Sequence, residues 1–297
     1  MKICIFGGNG FIGSSLAKEY LKKGHEVFIY TQTKIKNNLK FKKNYKITYT
    51  EKSFNNVLKK KFDLIFFLSG NSNQETSKKD IYYDLQSSFS TFIQLLESAR
   101  KNNISSTIWY ASSVVVYGVN NKPLKENFEL NPVSYYAFVK LICENACKFY
   151  SRNFKLNIGI LRLFSTFGPD LKRQVVYDTI KKIRTLKKFK VIGSGNEKRN
   201  FSYIDDQVKS ILKLSRKIKK PKGDVYNIAS GKTFSIKQIL QKLIKISNKK
   251  ANYVFTKKRR SFDTKNFIAS NLKISKTIGK FNLTNIDLAL KKTYNSF

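Results

Sequence analysis

Cysteine, histidine, proline and acidic side chains are scarce in this sequence, and each shortage removes a class of protein. Cys4, Cys143 and Cys147 are too few and too scattered for a disulfide framework. Cys143 and Cys147 share a helix face at i, i+4, but with one histidine in the chain they lack the further ligands of a zinc site. Their spacing reads as two small buried hydrophobes, and no bound metal is expected. That histidine, His25, sits in "KKGHEVFIY", a turn between a helix and a strand, and reads as structural. Four prolines, 14 glycines and no low-complexity tract imply an ordered chain, and 41% hydrophobic residues over 297 positions supply a substantial core. Long apolar runs are missing too. None approaches the length of a spanning helix, and Met1 and Lys2 pass directly into a strand without a signal-peptide pattern, so a cytoplasmic protein with no membrane partner is expected.

Nineteen Asp and Glu stand against 58 Lys and Arg, a formal net charge of +39. Such an excess attracts polyanions, and nucleic acid is the sharpest reading of it. The distribution argues otherwise, because the basic residues are spread over nearly every predicted helix and loop, densest at 181–190, 213–222 and 257–260. Non-specific attraction to nucleic acid is expected; a specific nucleic-acid partner is not.

What the sequence does contain is an alternation of short apolar runs and helical segments. Runs at 2–6, 26–30, 46–49, 64–68 and 107–111 read as strands, with helices at 11–23, 53–60 and 81–101 between them. A helix over 133–152 and a sixth strand over 156–164 follow. This order predicts an α/β, Rossmann-type doubly wound parallel sheet, with its ligand crevice at the carboxyl ends of the strands. Beyond Gly168 and Pro169 the alternation becomes irregular, with helices at 171–186, 206–217, 235–246 and 285–294 and short strands at 189–192, 224–228 and 253–256. The expected division is a dinucleotide-binding domain over 1–168, with a returning strand near 224–230, and a smaller C-terminal substrate-binding lobe over 169–297.

Three stretches carry chemistry. In "GGNGFIG", residues 7–13, Gly7, Gly10 and Gly13 permit a tight strand-to-helix turn and close approach of a ligand to the backbone, with Phe11 and Ile12 opening the helix. The N–H groups of that first helical turn suit a pyrophosphate, although the spacing by itself also fits a plain tight loop. In "SYYAFVK", Tyr136 and Lys140 share a helix face at i, i+4. A phenol titrates near about 10, and a neighbouring ammonium favours its phenolate, which would allow proton exchange with a substrate hydroxyl. The bare pattern equally describes an aromatic ring packed on a lysine stem. In "YASSVVVYG", residues 110–118, Ser113 falls where the fifth strand reaches the crevice, either to align a substrate oxygen or as a simple turn residue.

Taken in order, with the intervening strands and helices, the three stretches make nearly the whole chain resemble the extended short-chain dehydrogenase/reductase family, in its branch of NAD(P)-dependent nucleotide-sugar epimerases, dehydratases and reductases. "LRLFSTFGP" at 161–169, "GSGNEKRNFSYIDD" at 193–206, "VYNIAS" at 225–230 and "RSFD" at 260–263 are similar to its further motifs. The resemblance implies that Tyr136 is the catalytic acid/base, that Lys140 lowers the pKa of that phenol and binds the nicotinamide ribose, and that Ser113 orients the sugar. Arg199 and Arg260 would grip the nucleotide diphosphate through bidentate guanidinium forks, though Arg260 within "KKRR" also reads as surface charge. The implied substrate is a nucleoside-diphosphate sugar, in surface-polysaccharide synthesis, and many relatives dimerise through two helices that correspond here to 81–101 and 133–152.

Departures from the family narrow the reaction. Val114 and Val115 replace the Asp-Glu pair that dehydratases carry after the catalytic hydroxyl, and valine transfers no protons, so dehydration and the related decarboxylation are disfavoured. Ser165 stands where many relatives have a substrate-binding Asn, Asn200 where an Asp follows the arginine, and Gln86 at another common Asn position. At the end of the second strand Thr31 replaces the acidic residue of NAD-preferring relatives, with Lys34 and Lys36 close behind. A 2'-phosphate would fit there, so the expected cofactor is NADP ahead of NAD, and the expected reaction is reduction of a 4-keto sugar nucleotide ahead of 4-epimerisation. A non-catalytic NADP sensor or RNA-binding member of the fold is the competing class, and retention of the Tyr-Lys pair counts against it.

Overall fold

The computed structural model describes residues 1–33, 41–256, 266–280 and 282–297. Lys34, Lys36 and Arg260, with the rest of "RSFD" and of the basic run at 257–260, lie outside the described residues. Seven strands form one parallel sheet: β1 (Lys2–Phe6), β2 (Glu26–Thr31), β3 (Asn44–Lys46), β4 (Leu64–Phe67), β5 (Thr107–Ser113), β6 (Ile158–Leu163) and β10 (Lys222–Ile228). Their spatial order is β10-β6-β5-β4-β1-β2-β3, so the sequence order reverses between β1 and β4. A doubly wound sheet opens its ligand crevice at such a reversal.

Side-chain alternation builds the core on both faces of this sheet. Ile3, Ile5, Val27, Ile29, Leu64 and Phe66 point to one face and pack with α1 (Phe11–Lys22), α7 (Gln174–Thr185), α8 (Ile204–Lys217) and α9 (Ile236–Ser247). Cys4, Phe6, Phe28, Tyr30, Ile65 and Phe67 point to the other, against α2 (Glu51–Leu58), α5 (Thr91–Lys101) and α6 (Tyr135–Phe154). Strands buried on both faces read as continuous apolar runs rather than alternating ones, which is why the runs in the sequence mark them so well.

The expected elements are displaced in places, each time by a side-chain bond. The third strand lies at 44–46 rather than 46–49, because Tyr49 turns inward to donate its hydroxyl to Tyr30 O (2.8 Å) and Thr50 opens α2 with a capping box to Ser53. Helix α6 starts at Tyr135, where Ser134 accepts from Ala137 N, two residues after the expected start. The expected helix over 81–101 is three pieces: α4 (Ile81–Asp84), a π-turn over Leu85–Ser90, and α5, with α3 (Gln74–Lys79) before them. Ser88 in that π-turn donates to Asp84 and accepts from Asn71 N, which draws it against the loop after β4.

Beyond residue 168 three described strands absent from the sequence reading organise the chain. β9 (Lys198–Tyr203) pairs with β11 (Thr233–Ser235), with β13 (Asn266–Phe267) and with the short β7 (Ser165–Phe167). β8 (Lys188–Val191) and β12 (Asn252–Phe255) form a separate parallel ribbon, and α10 (Leu272–Ile278) and α11 (Ile286–Asn295) complete the fold. No described helix is long and apolar enough to cross a membrane.

Candidate active site

The crevice opens where strand order predicts it. A cavity of about 370 Å³ is lined by Gly7, Gly10, Phe11, Ile12 and Gly13 after β1, by Thr31 at the end of β2, and by Leu68 to Ser72 after β4. At its other end stand Ser113, Tyr136 and Lys140. These nine sequence-selected residues therefore meet in one cleft, and Lys34 lies outside the described residues.

At the glycine end the wall is made by missing atoms. Gly7 has φ +80°, and a Cβ there would lie 2.9 Å from the Leu68 carbonyl; one on Gly13 would lie 2.5 Å from Gly7 O. Contacts that short do not occur, so the turn and the packing of α1 on it need glycine. Gly10 caps α1 with no side-chain bond, and the first turn holds no acidic residue, so its N–H groups and the helix dipole favour an anion. Tyr49 supports the turn from below, its hydroxyl oxygen accepting from Gly7 N (3.2 Å). Burial pushes the Tyr49 phenol well above its ordinary pKa, so it remains a donor to Tyr30 O as well.

At the other end side chains do the positioning. Ser113 is the last residue of β5 and Tyr136 lies in the first turn of α6, both half-buried. Neither hydroxyl makes a hydrogen bond among the described residues, so both are free for a ligand. Lys140 is 6% exposed, donates to Ala111 O (3.0 Å), and holds its ammonium 5.8 Å from the centre of the Tyr136 ring. An ammonium has three donors, and two remain for the cleft. Val114 and Val115 belong to a buried 3-10 turn directly after Ser113 and pack in an apolar cluster with Phe164 and against Tyr136, so the two positions after Ser113 carry no proton-transferring group.

Ser165 and Arg199 line a second cavity of about 270 Å³, which shares Thr166, Leu171 and Gln174 with the first. The two cavities therefore adjoin. Arg199 stacks 5.0 Å over the Phe267 ring and donates to Lys198 O. Thr31 bonds Thr33, hydroxyl to hydroxyl (3.0 Å), so β2 ends in hydroxyls and Gln32 with no carboxylate before residue 34. Gln86 is exposed and outside the cleft; the π-turn brings Ser87 to the lining instead. Burial pushes the Cys143 thiol up to about 11, which leaves it a packing residue.

One feature of the site escaped the sequence reading. Glu144, one turn beyond Lys140 on α6, is fully buried and bonded by Arg162 of β6, through Nε (2.9 Å) and Nη2 (2.7 Å), and by Ser112 Oγ (2.5 Å). Tyr136, Lys140 and Glu144 at i, i+4, i+8, and a lone arginine inside the apolar strand "IGILRL", were the signals available for it.

The parallel sheet with its cleft at the reversal of strand order is a Rossmann-type architecture, and residues 3–229 match the family described as the NAD dependent epimerase/dehydratase family, to which the chain belongs. A Bacillus subtilis (strain 168) protein described as an uncharacterized UDP-glucose epimerase is 30% identical over 275 residues, spanning 87% of this chain and 86% of the relative. Protein CapI of Staphylococcus aureus is 32% identical over 238 residues, 74% of this chain and 70% of its own. Among solved structures, a UDP-glucuronic acid 4-epimerase from Bacillus cereus, in complex with UDP-glucuronic acid and NAD, superposes with a TM-score of 0.91 at 26% identity, covering 100% of this chain and 98% of that one.

Proposed function

We propose that the protein is a nucleotide-sugar 4-epimerase that uses a nicotinamide dinucleotide held along the cleft. The observation that carries this reading is the placement of buried Lys140 beside Tyr136, with Ser113, in the same cleft as the glycine turn. The uncapped start of α1, packed close on the turn after β1 because Gly7 and Gly13 carry no Cβ, fits a pyrophosphate, and the spare Lys140 donors fit ribose hydroxyls. A nicotinamide held there would supply the hydride acceptance and return that 4-epimerisation needs. Tyr136 takes the proton of the sugar hydroxyl as the ketone forms and gives it back on reduction, Ser113 hydrogen-bonds that oxygen, and Lys140 keeps positive charge beside the phenol. The sugar nucleotide extends into the second cavity, where Ser165 meets it and Arg199 meets its diphosphate, so β7, α7 and β9 act with their neighbours as the substrate lobe while β10 and α8 stay with the central sheet.

The valines after Ser113 support simple hydride chemistry over dehydration. A second reading, NADPH-dependent reduction of a 4-keto sugar nucleotide, is favoured by the hydroxyl-lined, carboxylate-free end of β2. The names of the relatives favour the first. Denaturing the purified protein and identifying the released nucleotide separates them: retained NAD is expected of a self-recycling epimerase, while an empty site preferring NADPH in fluorescence titration would establish the reductase. Binding of neither would overturn both readings. We also infer a homodimer through α4 to α6, which expose Tyr82, Phe138 and Phe149; sedimentation should show a dimer that Phe149→Glu weakens, and a monomer at micromolar concentration would refute it.

A further inference from the structure

Glu144 and Arg162 are 0% and 1% exposed, and the proposed chemistry uses neither. Burial works against the guanidinium's charge, yet the Glu144 carboxylate more than offsets this and Arg162 is held firmly cationic. A buried ion pair is a weak source of stability, since well-packed apolar residues of similar volume often replace one without loss. Its position is the informative part. Glu144 lies on the helix face that carries Tyr136 and Lys140, and Ser112, which donates to it, is next to Ser113. Arg162 adds a bond to Glu126 O (3.2 Å) and lies 4.6 Å over the Tyr117 ring, whose hydroxyl bonds Asn227 of β10 (2.7 Å).

We propose that Glu144 and Arg162 are positioning residues, a buried clamp that sets the rotation and height of α6 against β5 and so holds the Tyr136 hydroxyl opposite Ser113. The bonds from Ser112 to Glu144 and from Lys140 to Ala111 O tie the helix to consecutive strand residues from points one turn apart. Two such ties prevent both sliding and rolling of the helix. Arg162, pointing from β6 to the face that α6 covers, fixes the Glu144 carboxylate through its two-nitrogen fork, which a lysine does not reproduce. Apolar packing alone tolerates small slips, and displacement of a reacting group by about 1 Å costs up to roughly a hundredfold in rate.

The inference rests on the proposed role of Tyr136, and the test separates the two. The paired variant Glu144→Leu with Arg162→Met, and separately Ser112→Ala, which leaves the ion pair whole, would be measured for folding by circular dichroism, for NADH binding by fluorescence, and for kcat and KM with UDP-glucose and UDP-glucuronate. The expected result is a folded protein with dinucleotide Kd and KM within about twofold of wild type, and kcat reduced on the order of tenfold or more in the paired variant and severalfold in Ser112→Ala. Arg162→Lys should fail to restore kcat. Wild-type kcat in the folded paired variant would overturn the clamp; if that variant does not fold, wild-type kcat in Ser112→Ala overturns it. Activity surviving Tyr136→Phe would instead refute the underlying chemistry and leave the clamp without a purpose.

Discussion

The two ends of the cleft are built on opposite principles. At the end of β1 the binding surface exists because atoms are absent: Gly7 and Gly13 leave no room for a Cβ, and α1 begins without a capping side chain. At the end of β5 it exists because charged and polar atoms are buried in bonded pairs, Lys140 on Ala111 O and Glu144 on Arg162 and Ser112. A dinucleotide phosphate needs only donors and close approach, which backbone supplies. Proton transfer needs a side chain held to a fraction of an ångström, and that takes a rigid surround. Damage at the glycine end should therefore appear in cofactor affinity, and damage at the β5 end in kcat.

The largest expected effect tests that separation directly. Tyr136→Phe should lower turnover of a UDP-sugar by at least about a thousandfold, as expected when an essential proton-transfer group is lost, while the dinucleotide dissociation constant stays within a few-fold; a large rise in that constant would erase the distinction. Next comes Gly13→Val. Its side chain would meet Gly7 O from 2.5 Å, so dinucleotide binding should fall by more than tenfold and stability by about 1–3 kcal/mol, read by titration and denaturant unfolding. Unchanged affinity would show that the turn holds something else. Tyr49→Phe removes the bonds to Gly7 N and Tyr30 O without filling the cleft, and should cost about 1 kcal/mol with a smaller loss of affinity.

The smallest effect contrasts the buried carboxylate of α6's inner face with a surface one. Glu97 of α5 accepts from Arg100 (2.8 Å) and from Tyr150 of α6 (2.6 Å), and these bonds hold its carboxyl down at about 2. A depressed carboxylate contributes stability that is present above its unfolded pKa, about 4.5, and is lost as the pH falls toward 2. Glu97→Gln should therefore flatten the acid limb of the stability curve between about pH 4.5 and 2, leaving kcat at neutral pH unchanged. Identical acid limbs in variant and wild type would show that the tie between α5 and α6 carries no stability.

Much of this protein was written in its sequence because the relevant physics is local. Strands buried on both faces show as apolar runs, a turn without room for Cβ shows as glycines at fixed spacing, and Tyr136 and Lys140 share a helix face by the pitch of the helix alone. From these came the parallel sheet, its crevice and the residues that meet in it. The reading fell short where distant partners decide. β9 pairs with β7, β11 and β13, and its own stretch "KRNFSY" alternates polar and apolar over only its last four residues, a short signal beside the longer apolar runs. Helix periodicity alone predicts an unbroken helix over 81–101, but bonds from Ser88 to Asp84 and from Asn71 N to Ser88 accompany a π-turn that sets Ser87, not Gln86, on the cleft. The same holds for the clamp: a glutamate in a helix and an arginine in a strand are legible as oddities, but only burial forces each to find a partner. Tertiary structure chose those partners across separations of 18 and 32 residues. Local backbone geometry needs only neighbours in sequence, whereas the desolvation of a charge is answered only by whatever the fold brings beside it.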